Sequence, residues 1–290
     1  MEHNQSSVGE LPVREYVPHA GLAGIRAALS SLVTGFGAAR ELAWRFFLRD
    51  TRAAYRQSAL GYVWMFLPPL VNTLLWVLLN RSEVISIDSG GVPYPLFVLA
   101  GTILFGAFNS SVMATMGVVG QAGGMLAKVN FPHESLVYNA LFKSLLDAFV
   151  PAILLVPGLI MYKIQPSATM LLFPLALCGT VLFGLACGLI LVPIGSLYSD
   201  VGRAVQLALR LSFFVTPVIF PLPQEGLART LMSANPLSAL IVSGRSWLAG
   251  AGEILPVAFT VVMIGSLLLA LLGLVIYKVA MPHLIERLSS

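Results

Sequence analysis

The sequence predicts an all-α integral membrane protein: six transmembrane helices, an N-terminal interfacial amphipathic helix, and re-entrant outer gate helices between spans five and six. Three observations predict it. Hydrophobic residues make up 57% of the 290 residues and charged residues 10%, whereas a soluble domain carries about 25% charged residues. Apolar runs recur at the length of roughly 20 residues that a bilayer core demands. A basic stretch, 39–61, runs directly into the first of them. The net charge of +4 comes from residues clustered beside apolar runs and not from a soluble basic face, which argues against nucleic acid as a partner.

Residues 1–39 read as a cytoplasmic or interfacial leader and 40–290 as the transmembrane domain. Residues 1–20 hold two prolines and few apolar side chains, and are expected to be mobile. A cleavable signal peptide is not expected, because the first long apolar run starts near residue 59, after a polar leader. Residues 22–38 are weakly amphipathic and could form a further interfacial segment. Over 44–56, Arg45, Arg49, Arg52 and Arg56 recur at i, i+4, i+7 and i+11 and form one cationic stripe on a helix. Trp44, Phe47, Leu48, Thr51 and Tyr55 form a largely apolar stripe beside it. Such a helix suits a membrane surface, with rings toward the acyl chains and guanidinium groups at lipid phosphates. A solvated helix start is the alternative.

The spans are expected at about 60–79, 95–118, 138–162, 169–195, 204–222 and 254–278. With the N-terminus inside, thirteen basic residues fall on the inner side and four, Arg81, Lys163, Arg229 and Arg245, on the outer side. That bias predicts both termini in the cytoplasm. Pro68 and Pro69 predict a kink in span one, facing protein, a water-lined path or lipid. In the inner loop 120–139, Pro132 suits N1 of a short helix and Glu134 its N-terminus. That helix would dock a soluble partner, unless the segment is an ordinary loop. Lys143 and Asp147, four apart in span three, are expected to pair structurally in preference to forming a proton relay. Gly184 and Gly188 form a GxxxG that permits close helix packing. In the short inner loop 196–206, Asp200 and Arg203 can pair at i, i+3. Pro217, Pro221, Pro223 and Pro236 divide 216–250 into pieces too short to cross, which suits an outer gate or a packing cap.

Catalytic signatures are missing. None of the four lysines follows a glycine, so there is no Walker A loop, and HExxH, CxxC and GxSxG are absent. His133–Glu134 lacks the second histidine of a zinc motif. Cys178 and Cys187 share one apolar run and read as packing residues. The chain is therefore not expected to be an enzyme. Energy comes from a partner, or the protein is a passive pore.

Four stretches, 49–70, 125–136, 197–222 and 235–250, together resemble the membrane subunits of ABC-2 type polysaccharide and polyol-phosphate exporters, which include O-antigen, capsule and teichoic-acid exporters. The resemblance covers about residues 40–278. It implies a homodimer with two ATP-binding subunits in the inner membrane of a bacterium. ATP and magnesium would sit on those subunits, with no cofactor or metal in this chain. Val129, Asn130, Phe131, Pro132, His133 and Glu134 match the segment that couples to the ATPase, where family members often carry arginine in place of His133. Asp200 and Arg203 would make a second inner contact, and Pro217, Pro221, Pro223, Asn235 and Pro236 belong to the outer gate. The implied substrate is a lipid-linked, O-antigen-like glycan. Tyr62, Trp64, Phe66, Phe213 and Phe214 are candidates for its path, since aromatic faces suit sugar rings. Arg45, Arg49, Arg52 and Arg56 would meet the lipid headgroup or anchor the helix to anionic lipid. An ABC-2 exporter of a drug or simple lipid, an ATP-independent channel or carrier, and a lipid-modifying enzyme are the competing readings.

Overall fold

A computed structural model describes residues 36–56, 58–83, 87, 89, 91–126, 129, 131–250 and 256–289. The leader up to residue 35 and Asn130 lie outside the described residues. Every regular element among the described residues is helical. In order these are α1 (Phe36–Arg56), a 3-10 turn (Gly61–Met65), α2 (Leu67–Arg81), α3 (Tyr94–Met116), α4 (Val118–Leu126), α5 (Glu134–Ala152) and α6 (Leu155–Met161). A second 3-10 turn (Ala168–Leu172) leads into α7 (Phe173–Leu197), followed by α8 (Ser199–Val215), α9 (Gly226–Ala234), α10 (Pro236–Leu248) and α11 (Val257–Ser289).

The core is built around α7, which packs against α3 on one side and α11 on the other. The GxxxG is what brings α3 close. A Cβ on Gly184 would stand 2.7 Å from the Phe108 carbonyl oxygen, and one on Gly188 2.7 Å from Thr115 Cβ. Between them Ser111 Oγ donates to the Val181 carbonyl at 2.8 Å, tying the two helices where they touch. Helix α10 packs on both α7 and α3, α5 joins α3, α1 lies on α5, and α2 leans on α3.

Four stretches among the described residues are long and apolar enough to cross a membrane: Tyr94–Met116, Glu134–Met161, Ala168–Leu197 and Val257–Arg287. They match expected spans two, three, four and six. The expected first span is divided. Residues 61–65 form a 3-10 turn, and α2 has 15 residues. Pro68 and Pro69 lie in the first turn of α2, where a missing N–H breaks no helical bond. They therefore start a helix and do not kink one. The expected fifth span is shifted toward the N-terminus. Helix α8 starts at Ser199, so most of the expected loop 196–206 is helical, and it stops at Val215. Thr216 is extended (φ −109°, ψ 138°), as steric clash with the following Pro217 requires.

Candidate coupling and lipid-interface site

Helix α1 buries Ala39, Ala43 and Phe47, spaced four apart, against α5. Trp44 and Phe47 meet Phe142 of α5, with Trp44 edge-on at 5.7 Å between centroids. Asn139 Nδ2 of α5 donates to Asp50 Oδ2 at 3.0 Å, which fixes the register of the two helices. Arg45, Arg49, Arg52 and Arg56 stay exposed along one side and line an open groove with Leu48 and Ala53. The stripe thus forms as the spacing predicts. Its cations are partly engaged: Arg45 with Glu41 at 2.7 Å, and Arg49 with Asp50 at 2.8 Å and over the Phe46 ring at 5.0 Å.

The loop before α5 is held between α1 and α11. Phe131 is 9% exposed and meets Phe46 of α1 edge-on at 5.7 Å. Tyr277 Oη of α11 donates to the His133 carbonyl at 2.9 Å, and Lys278 Nζ pairs with Glu134 Oε1 at 2.8 Å. Val129, 53% exposed, and Pro132 face outward beside these anchored residues. The described residues 129 and 131–133 form no helix of their own, because the helix begins at Glu134 and continues as α5. Pro132 supplies its carbonyl to Ser135 N at 3.0 Å and lies just ahead of the helix, not at N1 of a separate one. Burial pushes the His133 imidazole below its usual pKa, against the opposing pull of Glu134, so the ring is neutral at pH 7. Its Nδ1 is buried without a hydrogen-bond partner.

Asp200 and Arg203 lie in the exposed first turns of α8, 3.5 Å apart at i, i+3 as expected. Lys143 and Asp147 make no direct ion pair among the described residues, although the Lys143 charge acts on the Asp147 carboxylate. Ser110 Oγ of α3 donates to Asp147 Oδ2, and Lys143 is exposed. The hydroxyl on the neighbouring helix reaches the carboxylate without leaving the helix surface, whereas the long lysine side chain keeps its charge toward solvent.

The candidate path residues fall into two groups. Tyr62 and Trp64 are each 52% exposed on the first 3-10 turn, next to half-buried Phe66, and Tyr62 meets Tyr55 of α1 at 4.6 Å. Phe213 of α8 packs edge-on against Phe105 of α3 at 5.2 Å and against exposed Phe214 at 5.5 Å. No ring contact joins the two groups among the described residues.

At the opposite end, 216–250 forms two short helices as the prolines predict. Asn235 is the single residue joining them. Its Oδ1 accepts from Leu237 N at 3.0 Å, capping α10, and its Nδ2 donates to Thr216 Oγ1 at 2.9 Å. Pro236 takes N1 of α10, Pro217 is buried, Pro223 half-buried and Pro221 exposed. Arg245 of α10 is a residue the sequence reading passed over except as a charge. It is buried, lies over the Phe97 ring at 3.8 Å and donates to the Val218 carbonyl at 3.4 Å. Val218 in turn presses on Gly101, where any side chain would collide with its carbonyl. The signal was present in its one cation among apolar neighbours.

Residues 41–248 match the ABC-2 type transporter family. The chain belongs to that family. Among relatives of this ABC-2 chain, the O-antigen export system permease protein RfbA of Myxococcus xanthus is 31% identical over 199 residues, 67% of this chain and 75% of that one. A Klebsiella pneumoniae protein of the same name is 22% identical over 235 residues, 79% of this chain and 88% of its own. The polysialic acid transport protein KpsM of Escherichia coli is 25% identical over 196 residues, 65% and 73% of the two chains. The family match spans α1 through α10, so the anchored loop and the short helices α9 and α10 of this ABC-2 chain both lie inside it.

Proposed function

We propose that the chain is the membrane permease subunit of an ATP-driven exporter that moves a lipid-linked polysaccharide outward across a bacterial inner membrane. The likeness to O-antigen and polysialic acid export proteins supports the substrate class. The observation that carries the mechanism is the anchoring of loop 129–134. Exposed Val129 and Pro132 offer a docking surface, and the residues beside them grip α1, α5 and α11 at once.

Two copies of the chain and two ATP-binding subunits form the working assembly, with ATP and magnesium on the latter. Closure of the ATPase pair on ATP pushes the loop. Because Phe131 is tied to α1 while His133 and Glu134 are tied to neighbouring residues of α11, the push is delivered as a rigid-body shift and not dissipated in the loop. Asp200 and Arg203 provide a second inner contact. Helices α2 and α8 complete six crossings, α2 lengthened by its preceding 3-10 turn, and the two termini lie in the cytoplasm. The path opens between the α2 and α8 helices of the two copies. Tyr62, Trp64 and Phe66 line its inner part and Phe213 and Phe214 its wall, offering ring faces to sugars. The arginine stripe of α1 holds the phosphates of the lipid headgroup. Helices α9 and α10 form the outer gate, hinged at Asn235.

Co-purification of the tagged chain from its native membrane in mild detergent, with partners identified by mass spectrometry, tests this. The expected result is a stoichiometric subunit carrying Walker A and ABC signature motifs. Recovery of an intact chain that transports in liposomes without any ATPase would overturn it.

A further inference from the structure

Helix α8 carries an arginine that no other side chain answers. Arg210 is exposed, three residues past the midpoint of the helix and about 16 Å along the axis from Ser199. Among the described residues it makes no hydrogen bond, ion pair or ring contact. Gln206 and Arg203 are exposed on the same side, one and two turns before it. Exposed Leu207, Leu211 and Phe214 form an apolar stripe alongside, and the opposite side, with Val205 and Leu209, packs on the core. We propose that Arg210, with Gln206 and Arg203, lines the export path and selects a glycan that bears acidic groups along its length. The inference rests on the exporter reading and on α8 as a crossing that faces the path.

The charge argues against the other occupants of this face. Lipid is a poor cover, because a guanidinium near the middle of a crossing is costly among acyl chains. Its side chain leans toward the helix start, too distant for the cation to reach water by snorkelling. A dry contact with a second copy is no better. Two-fold symmetry turns one face upon itself, so cation would meet cation. Neither α2 nor residues 201–222 hold an aspartate or glutamate to stand between them. Asp200, the acid of α8, lies in its first turn, 3.5 Å from Arg203. A water-filled path with an anionic cargo satisfies Arg210. The cargo's charge lies on its sugars and not only on its lipid phosphate. A resting lipid keeps its phosphate at the membrane surface, whereas Arg203 and Arg210 stand at two depths, about 10.5 Å apart along the axis. Cations at two depths suit a charge that recurs along a polymer. Gln206 between them can donate to or accept from sugar hydroxyls, and Phe213 and Phe214, one turn beyond Arg210, offer ring faces.

Inside-out membrane vesicles holding the full assembly test this, with Cys178 and Cys187 replaced and Gln206→Cys introduced. The new thiol is labelled with a sulfonate-bearing and with a trimethylammonium-bearing methanethiosulfonate, each rate being normalised to that of a free thiol. Labelling is repeated with oligogalacturonate, with a malto-oligosaccharide of equal length, and with a polyisoprenyl phosphate. The sulfonate reagent should be favoured, and oligogalacturonate alone should protect. Adding Arg210→Gln should abolish the preference and weaken protection about tenfold, the size of one lost charge-assisted hydrogen bond. Arg210→Lys should keep both. Arg210 is exposed, so these variants keep the packing. No reaction with either reagent puts the face against lipid or a second copy and overturns the proposal. Equal protection by the two oligosaccharides, or protection by the polyisoprenyl phosphate in their place, overturns it as well. Every arm is read with and without ATP and magnesium. Charge preference with no effect of ATP counts against the exporter reading and leaves the selection standing, whereas an effect of ATP without charge preference does the reverse.

Discussion

Glu134 and Lys278 show how single side chains join distant parts of the chain. Their side chains are 22% and 13% exposed, so the pair is shielded from solvent well beyond an ordinary surface ion pair. Lys278→Met removes the cation and strands the carboxylate. It should lower stability by about 1–3 kcal/mol, measured as the thermal unfolding midpoint in detergent, and reduce recovery of the ATPase on the tagged chain. His133 next to it gives a pH dependence of known sign. Burial favours its neutral form in the folded chain, so its folded pKa lies below the unfolded one. The stability it contributes is full above pH about 6.5 and is lost as pH falls below that value. The unfolding midpoint should therefore drop between about pH 7.5 and about pH 5.5, and His133→Gln should shrink the drop. Neither partnership was legible in the sequence. Glu134 reads as a good helix-start residue and Lys278 as an inner charge, and 144 residues separate His133 from Tyr277. No periodicity connects them. The i, i+3 pair of Asp200 and Arg203 was legible because it is local, whereas the equally local cap of Asn235 on Leu237 N was not read from the sequence.

Among the elements, the α3–α7 crossing is the most exacting. Gly184→Ala puts a methyl 2.7 Å from both the Phe108 carbonyl oxygen and Ser111 Cβ. Two helix surfaces must part to admit it, and the expected loss is about 1–3 kcal/mol. Gly106→Ala is the control. Nothing lies within 4 Å of its Cβ position, and alanine is the better helix former, so stability should hold or rise slightly. The crossing was legible because GxxxG states its own geometry. The arginine stripe of α1 was legible for a similar reason, being written in the spacing of 44–56, but the packing of Trp44 and Phe47 on Phe142 of α5 in place of acyl chains was not. The ends of α2 and α8 were not. A proline serves equally to start a helix or to bend one, and the sequence around Pro68 does not say which. The start of α8 at Ser199 was hidden by Asp200 and Arg203, polar residues that read as loop but lie exposed on a helix.

The whole molecule exposes apolar side chains along α2 (Leu70, Val71, Leu74, Leu75, Leu78), α8 (Leu207, Leu211, Phe214) and α11 (Val261, Ile264, Leu268, Leu272). A bilayer covers such surfaces, and so does a second copy. The proposed assembly assigns the faces differently, with α2 and α8 toward the partner and α11 toward lipid. In a chain with Cys178 and Cys187 replaced, Leu74→Cys should cross-link two copies in the membrane and Leu268→Cys should not. The reverse pattern would exclude the proposed path. The all-helical membrane class was legible from composition and the length of the apolar runs, but the division of its surface was not, since lipid and a partner helix ask for the same side chains. The contact of Phe46 with Phe131 has one more consequence. Phe46 of α1, the helix proposed to lie at the headgroups, rests directly on Phe131 of the loop that would receive the ATPase stroke. In that proposed arrangement the inner leaflet would be a mechanical load on the loop: each stroke would displace lipid as well as protein, and a stiffer or more tightly packed leaflet would slow the exporter without altering a single residue.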